Sequence, residues 1–235
     1  MGTLRLCGRL LALLLLLSVA LPLHGCWRLL RRRSPWPRRF LRAVAWVIGA
    51  RVRIVGAART HDVFLVANHV SWTDIPILAG ATGTAFVAKA ELADAPLVGW
   101  LAALNHTVFI RRTRAAVTEQ VQDIAAALAQ GWPLTLFPEG TTGDGRTLLP
   151  FKPALLQVAS PPPPGVQVQP VLLDYGAATP DLAWAGEEGG ASHARRVLRR
   201  PGSFAVTLRF LEPFVPGDDR KATAAEVRRR MEAVA

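Results

Sequence analysis

His69 and Asp74 stand five residues apart in His69-Val70-Ser71-Trp72-Thr73-Asp74, directly after the apolar run VFLVAN at 63–68. A neutral imidazole can take a proton from a hydroxyl. A carboxylate on the other ring nitrogen then holds the tautomer and stabilises the imidazolium that forms. On a continuous helix this spacing sets the two side chains about 140° apart, so they meet only where the chain turns. The sequence offers such a turn: His69 would close a strand, and Asp74 would lie in the first turn of a helix capped by Ser71. The same Ser71-x-x-Asp74 spacing, just before Ile75 to Gly80, also reads as a capping box that needs no catalysis. With five His in the chain, a bare His-x4-Asp arises about 0.2 times by chance. On this motif alone both readings stand.

Two further stretches carry usable chemistry. Leu136-Phe-Pro-Glu139-Gly140-Thr141-Thr142-Gly143-Asp144-Gly145 sets a carboxylate at the end of a buried strand, where open α/β sheets place ligands. Its Gly-Asp-Gly is equally ordinary turn chemistry. Val108-Phe-Ile-Arg111-Arg112-Thr-Arg114 brings an apolar strand end to a cationic cluster whose forks suit phosphate or carboxylate, or are simply a solvated charge run. His61, His106 and His193 lack partners in sequence and read as structural or water-facing, and His24 falls in the N-terminal apolar region. There is no Gly-x-Ser-x-Gly elbow, Walker loop, dinucleotide fingerprint or His-Glu-x-x-His.

Taken in order, Asn68-His69-x4-Asp74, Phe-Ile-x-Arg112, Phe137-Pro-Glu139-Gly140-Thr141 and Val168-Gln-Pro170-Val171 resemble the four sequence blocks of the glycerolipid acyltransferases, the lysophosphatidic acid acyltransferase family. The resemblance covers about residues 45–215. It implies a membrane-bound enzyme that moves a fatty acyl group from a coenzyme A or acyl-carrier-protein thioester to a lysolipid hydroxyl. His69 would be the general base and Asp74 its orienting partner. Arg111, Arg112, Arg114, Glu139, Gly140, Thr141 and Thr142 would surround the acceptor, and Pro170 with Val171 would shape the acyl or thioester site. No metal or bound cofactor is implied, since the thioester is already activated. The family commonly has Arg after Glu-Gly-Thr, where this chain has Thr142. Lysophosphatidate is the expected acceptor by family frequency. The Glu-Gly-Thr-Thr-Gly-Asp-Gly run resembles bacterial relatives acting on lyso-ornithine lipid, the alternative acceptor.

These residues need a scaffold, and the chain has the length for one domain with an appendage. From residue 51, short β-rich runs at 51–55, 63–68, 84–89, 133–138, 166–175 and 203–210 alternate with helical stretches at 72–80, 114–130 and 223–234. That alternation predicts an α/β fold, a mixed sheet flanked by helices. Residues 176–202, with Gly-Gly and Arg pairs, read as a mobile loop, and Pro161–Pro164 as a stiff surface spacer. The acyltransferase domain is expected over 46–235.

Residues 1–45 read as a helical membrane anchor. Leu10 to Leu23 is hydrocarbon apart from Ser18, with Pro22 interrupting its end and seven arginines following between Arg28 and Arg42. Fourteen residues fall short of the roughly 20 that span a bilayer, so spanning and lying in one leaflet both remain open. A cleaved leader shares this layout, but the arginines oppose translocation and favour a retained anchor on the cytoplasmic face of a bacterial inner membrane. A second, amphipathic helix is expected at 40–50, with Trp27, Trp36 and Trp46 at the interface. The net charge of +11 invites a nucleic-acid reading. Residues 1–61 hold 12 Arg and no acid, though, while the remainder has 16 basic and 17 acidic residues, so nucleic acid is disfavoured. Both cysteines, Cys7 and Cys26, are N-terminal, which excludes a disulfide scaffold and a Cys-based zinc site. The rivals are a non-catalytic membrane-surface binding module and an exported lipid hydrolase.

Overall fold

The strand that leads to His69 is the centre of the molecule. β2 (Val63–Ala67) is wholly buried, and its alternation sends Val63, Leu65 and Ala67 into one core and Phe64 and Val66 into the other. A strand covered on both faces reads as an unbroken β-branched and aromatic run, as VFLVA does. The computed structural model describes residues 1–110 and 117–235. Among them lie β1 (Ala50–Val55), β3 (Ala85–Lys89), β4 (Val108–Ile110), β5 (Leu134–Leu136), β6 (Gln167–Asp174) and β7 (Phe204–Phe210). One sheet joins all seven described strands in the order β1-β7-β6-β2-β5-β3-β4. β6, β2, β5, β3 and β4 run parallel; β7 is antiparallel to β6 and parallel to β1, so the sheet is mixed as expected. The carboxyl ends of β2, β5 and β6 therefore share one edge.

On one face lie α2 (Trp36–Val47), α3 (Asp74–Thr82), the short α6 (Thr179–Leu182) and α7 (Gly190–Arg199), which contribute Ala45, Ile77, Leu78, Leu182, Val197 and Leu198 to the core. The other face carries α5 (Val117–Ala129) and α8 (Arg220–Glu232), with Ile124, Leu128, Val227 and Met231 buried. α4 (Pro96–Leu104), which nothing in the sequence reading anticipated, leaves Leu97, Val98 and Trp100 exposed.

Three expectations need correction. Residues 176–202 are not a mobile loop: they form α6 and α7, and Val197, Leu198 and the fully buried His193 seat α7 while Arg195 and Arg199 face outward. The N-terminal helix α1 runs from Gly2 to Leu29 with Pro22 inside it, so the apolar stretch is not cut at Pro22. Twenty-eight residues make it about 42 Å long. Finally, the N-cap of α3 is Thr73, not Ser71, whose Oγ instead accepts from the Thr73 N–H at 3.3 Å.

The arginines of the N-terminal region also hold the body together. A helix leaves its last carbonyls unpaired and partly negative, which suits a cation there. Arg9 of α1 donates to Val197 O, Leu198 O and Arg200 O at 3.0–3.1 Å, closing the end of α7. Arg38 donates to Gly80 O and Ala81 O at the end of α3, and Arg33 to Gln130 O just after α5. α2 crosses α3 so closely that a Cβ on Gly80 would stand 2.6 Å from Arg42 Cα. The segment that begins the chain thus fixes the helix that carries Asp74.

Candidate active site

β2 delivers Asn68 and His69 to the carboxyl edge of the sheet. The buried Asn68 side chain donates to Leu173 O at 3.0 Å and accepts from Leu173 N–H at 2.7 Å, locking the end of β2 to β6. The chain then turns, and Asp74 opens α3. His69 Nδ1 and Asp74 Oδ2 meet at 2.7 Å; the His side chain is 19% exposed and the Asp 0%, so only the imidazole can reach a substrate. Asp74 Oδ2 also accepts from Val70 N–H at 2.7 Å and Ser71 N–H at 3.0 Å. Ser71 does not cap α3, yet the turn and the catalytic reading share this one carboxylate. The carboxylate that closes the turn is the one that orients the ring. Since a carboxylate only accepts, Nδ1 carries the proton and Nε2 is left with its lone pair. Nε2 has no protein hydrogen bond among the described residues. Phe137 stacks on the imidazole at 4.1 Å between centroids, fixing its plane.

Glu139 holds the same loop. The residue is 3% exposed, with Oε1 accepting from His69 N–H at 3.0 Å and Oε2 from Leu149 N–H at 3.3 Å. Burial pushes it up to about 7, although both backbone bonds and nearby His69 pull the other way. Gly140 makes the turn at φ +70°, which a side chain rarely adopts. Gly143 N–H then donates to His69 O at 2.8 Å. Thr141 is exposed. The Thr142 hydroxyl donates to Trp184 O, and Trp184 N–H donates to Val70 O at 2.9 Å, so the segment after α6 is tied to both site loops. Asp144 is exposed and held below the usual carboxylate range, chiefly by the Arg146 and Thr147 N–H groups.

Pro170 is buried in mid-strand, opposite Val66. Val168 exchanges backbone bonds with Phe214, so Pro170, two residues on, faces the same side. There its carbonyl accepts from Leu211 N–H, and no ladder bond to β2 is lost. Arg111, Arg112 and Arg114 lie outside the described residues. Sequence reasoning missed Tyr175, at the end of β6, whose hydroxyl donates to the second oxygen of Asp74 at 2.5 Å. It is the chain's single tyrosine and ends a buried parallel strand, which was the available signal.

Residues 51–174 match the family described as Acyltransferase. A lyso-ornithine lipid O-acyltransferase of Brucella abortus (strain 2308) is 38% identical over 229 residues, 87% of this chain and 85% of that protein. A 1-acyl-sn-glycerol-3-phosphate acyltransferase of Neisseria gonorrhoeae is 35% identical over 129 residues, 54% of this chain and 50% of that one. The crystal structure of the 1-acyl-sn-glycerophosphate acyltransferase of Thermotoga maritima superposes with a TM-score of 0.64 at 25% identity, covering 100% of this chain and 98% of that one. The matched residues run from β1 to the end of β6 and enclose the imidazole, its carboxylate and the Glu139 clamp, and with relatives aligned along most of its length the chain belongs to the acyltransferase family of enzymes.

Proposed function

We propose that the chain transfers a fatty acyl group from acyl-CoA or acyl carrier protein to the free hydroxyl of lyso-ornithine lipid. The observation that carries the chemistry is the His69–Asp74 pair at 2.7 Å, with Nε2 open. His69 Nε2 takes the hydroxyl proton as the oxygen attacks the thioester carbonyl, and the imidazolium returns that proton to the leaving thiolate. Asp74 stays ionised and holds the ring. No cofactor is required, because the thioester supplies the activated carbonyl.

Two observations favour this acceptor over lysophosphatidate. The Brucella relative aligns over 87% of the chain, against 54% for the Neisseria phosphate-acceptor enzyme. Thr142 stands where the phosphate-acceptor pattern has Arg, and its hydroxyl is already bonded to Trp184 O. The ammonium of a zwitterionic acceptor would meet the exposed Asp144, since Glu139 is buried.

α1 is long and apolar enough to cross a membrane. Its packing supports a different placement. Leu6, Leu13, Ala20 and His24 lie against the body along one side, while Leu11, Leu14, Leu15 and Val19 face outward. A helix with protein along one flank would lie in one leaflet, on the cytoplasmic side where thioester donors are found. Purified full-length protein in detergent, given each donor with either acceptor, tests the assignment. Faster turnover of lyso-ornithine lipid is expected. Turnover of lysophosphatidate alone, or of neither, would overturn it.

A further inference from the structure

Asp74 has two oxygens, and only one serves His69. Oδ2 takes the imidazole and two backbone N–H groups. Oδ1 faces the interior, where Tyr175 OH donates at 2.5 Å. The Tyr175 hydroxyl has one hydrogen, so Thr73 Oγ1, 2.8 Å away, must be the donor in their contact. The result is a chain in which Thr73 donates to Tyr175 and Tyr175 to Asp74, while His69 Nδ1–H donates to the other oxygen of Asp74 and leaves Nε2 open. Every other member is buried: Thr73 and Asp74 are 0% exposed and Tyr175 2%.

We infer that Tyr175 is a positioning residue for acyl transfer, acting through Asp74 to set the orientation and basicity of His69. Three physical points carry this. A buried carboxylate oxygen without a donor is costly, so removing the hydroxyl disturbs Asp74 itself. The Tyr175 proton also draws charge from the carboxylate, which limits how strongly Asp74 favours the imidazolium. And the residue comes from β6, pinned to β2 by Asn68, so the contact reports the alignment of the two strands that build the site. Burial, and then the charge of Asp74, hold the Tyr175 hydroxyl well above its usual range, so it remains a donor at every working pH. The other titratable group meeting this cluster is Glu139, from the loop after β5.

The test is Tyr175→Phe, which removes one hydroxyl and keeps the ring. His69 titration is followed by NMR of the imidazole in detergent-solubilised full-length protein, with Glu139→Gln as background so that only His69 titrates there. Without the Tyr175 proton, Asp74 holds more charge and the His69 titration should move to higher pH. In the acyl-transfer assay kcat should fall about tenfold or more, with KM for both substrates within about twofold. In an Asp74→Asn background the same substitution should change little, because the effect passes through Asp74. An unmoved titration would overturn the inference even if the rate fell, since lost packing alone would do that. Additive losses with Asp74→Asn would overturn it too. If Tyr175→Phe does not fold, Thr73→Val, which removes the donor to Tyr175, should shift the titration in the same direction but by less, because Tyr175 without its own donor gives a weaker hydrogen bond to Asp74; no shift with Thr73→Val would overturn the inference. Only the rate arm rests on the proposed acceptor. The NMR arm needs no substrate, so failure of one reading is distinct from failure of the other.

Discussion

At the residue scale, the site is two buried carboxyls doing different work around one partly buried imidazole. Asp74 has four donors and serves as the ionised partner; Glu139 has two and sits in a more costly place, which raises it to about 7. This has a sign that can be measured. Unfolded, Glu139 would release its proton near 4.5; folded, it keeps it to about 7. Between those values the folded state binds more protons, so this group's contribution falls as pH rises through the window and is lost above about 7. Thermal midpoints at pH 5 and pH 8 should therefore separate more for the wild type than for Glu139→Gln, which has no proton to lose. Equal separations would mean that the carboxyl is solvated. The His69–Asp74 contact was legible in sequence because both residues lie within one turn of chain. Tyr175 was not, because its partner is 101 residues away and only the β2–β6 pairing brings them together.

At the scale of elements, the arginines of the N-terminal region divide into two groups. Arg9, Arg33 and Arg38 close the ends of body helices, whereas Arg32 makes no side-chain bond among the described residues. Arg38→Gln should cost about 1 kcal/mol of stability, and Arg32→Gln less than about 0.5. Matched denaturant titrations would show it, and equal effects would contradict the capping role. Gly80→Ala should cost about 1–3 kcal/mol, because its methyl meets the α2 backbone, and should also slow turnover through α3. Unchanged midpoint and rate would mean that α2 simply moves aside. The strands were legible because VFLVA and VQVQPVLLD are dense in β-branched and aliphatic residues. α7 was not: GASHARRVLR has few aliphatic residues, and its seat depends on α1 and β7. α4 was missed because PLVGWLAAL is apolar nearly all round, leaving no periodicity to read.

At the scale of the molecule, one sheet edge gathers the reacting pair while α1 and α2 tie that edge to an apolar outer surface. With Leu11, Leu14, Leu15 and Val19 outward on α1 and Trp46 outward on α2, attachment should not depend on charge alone. The protein should stay in the membrane pellet in high salt, where the Debye length shrinks to about 3 Å at 1 M, and leave with detergent. Recovery in the salt wash would contradict the leaflet placement. The central claim is narrower: His69 Nε2, held by Asp74, is the base that activates the acceptor hydroxyl. General-base catalysis supplies about 10²–10⁴-fold. The direct measurement is kcat of purified His69→Ala beside wild type in one acyl-transfer assay, with folding checked by thermal midpoint. The account predicts a fall of at least about 100-fold in a protein that remains folded and membrane-bound; a folded variant retaining more than about a tenth of the wild-type rate would contradict it.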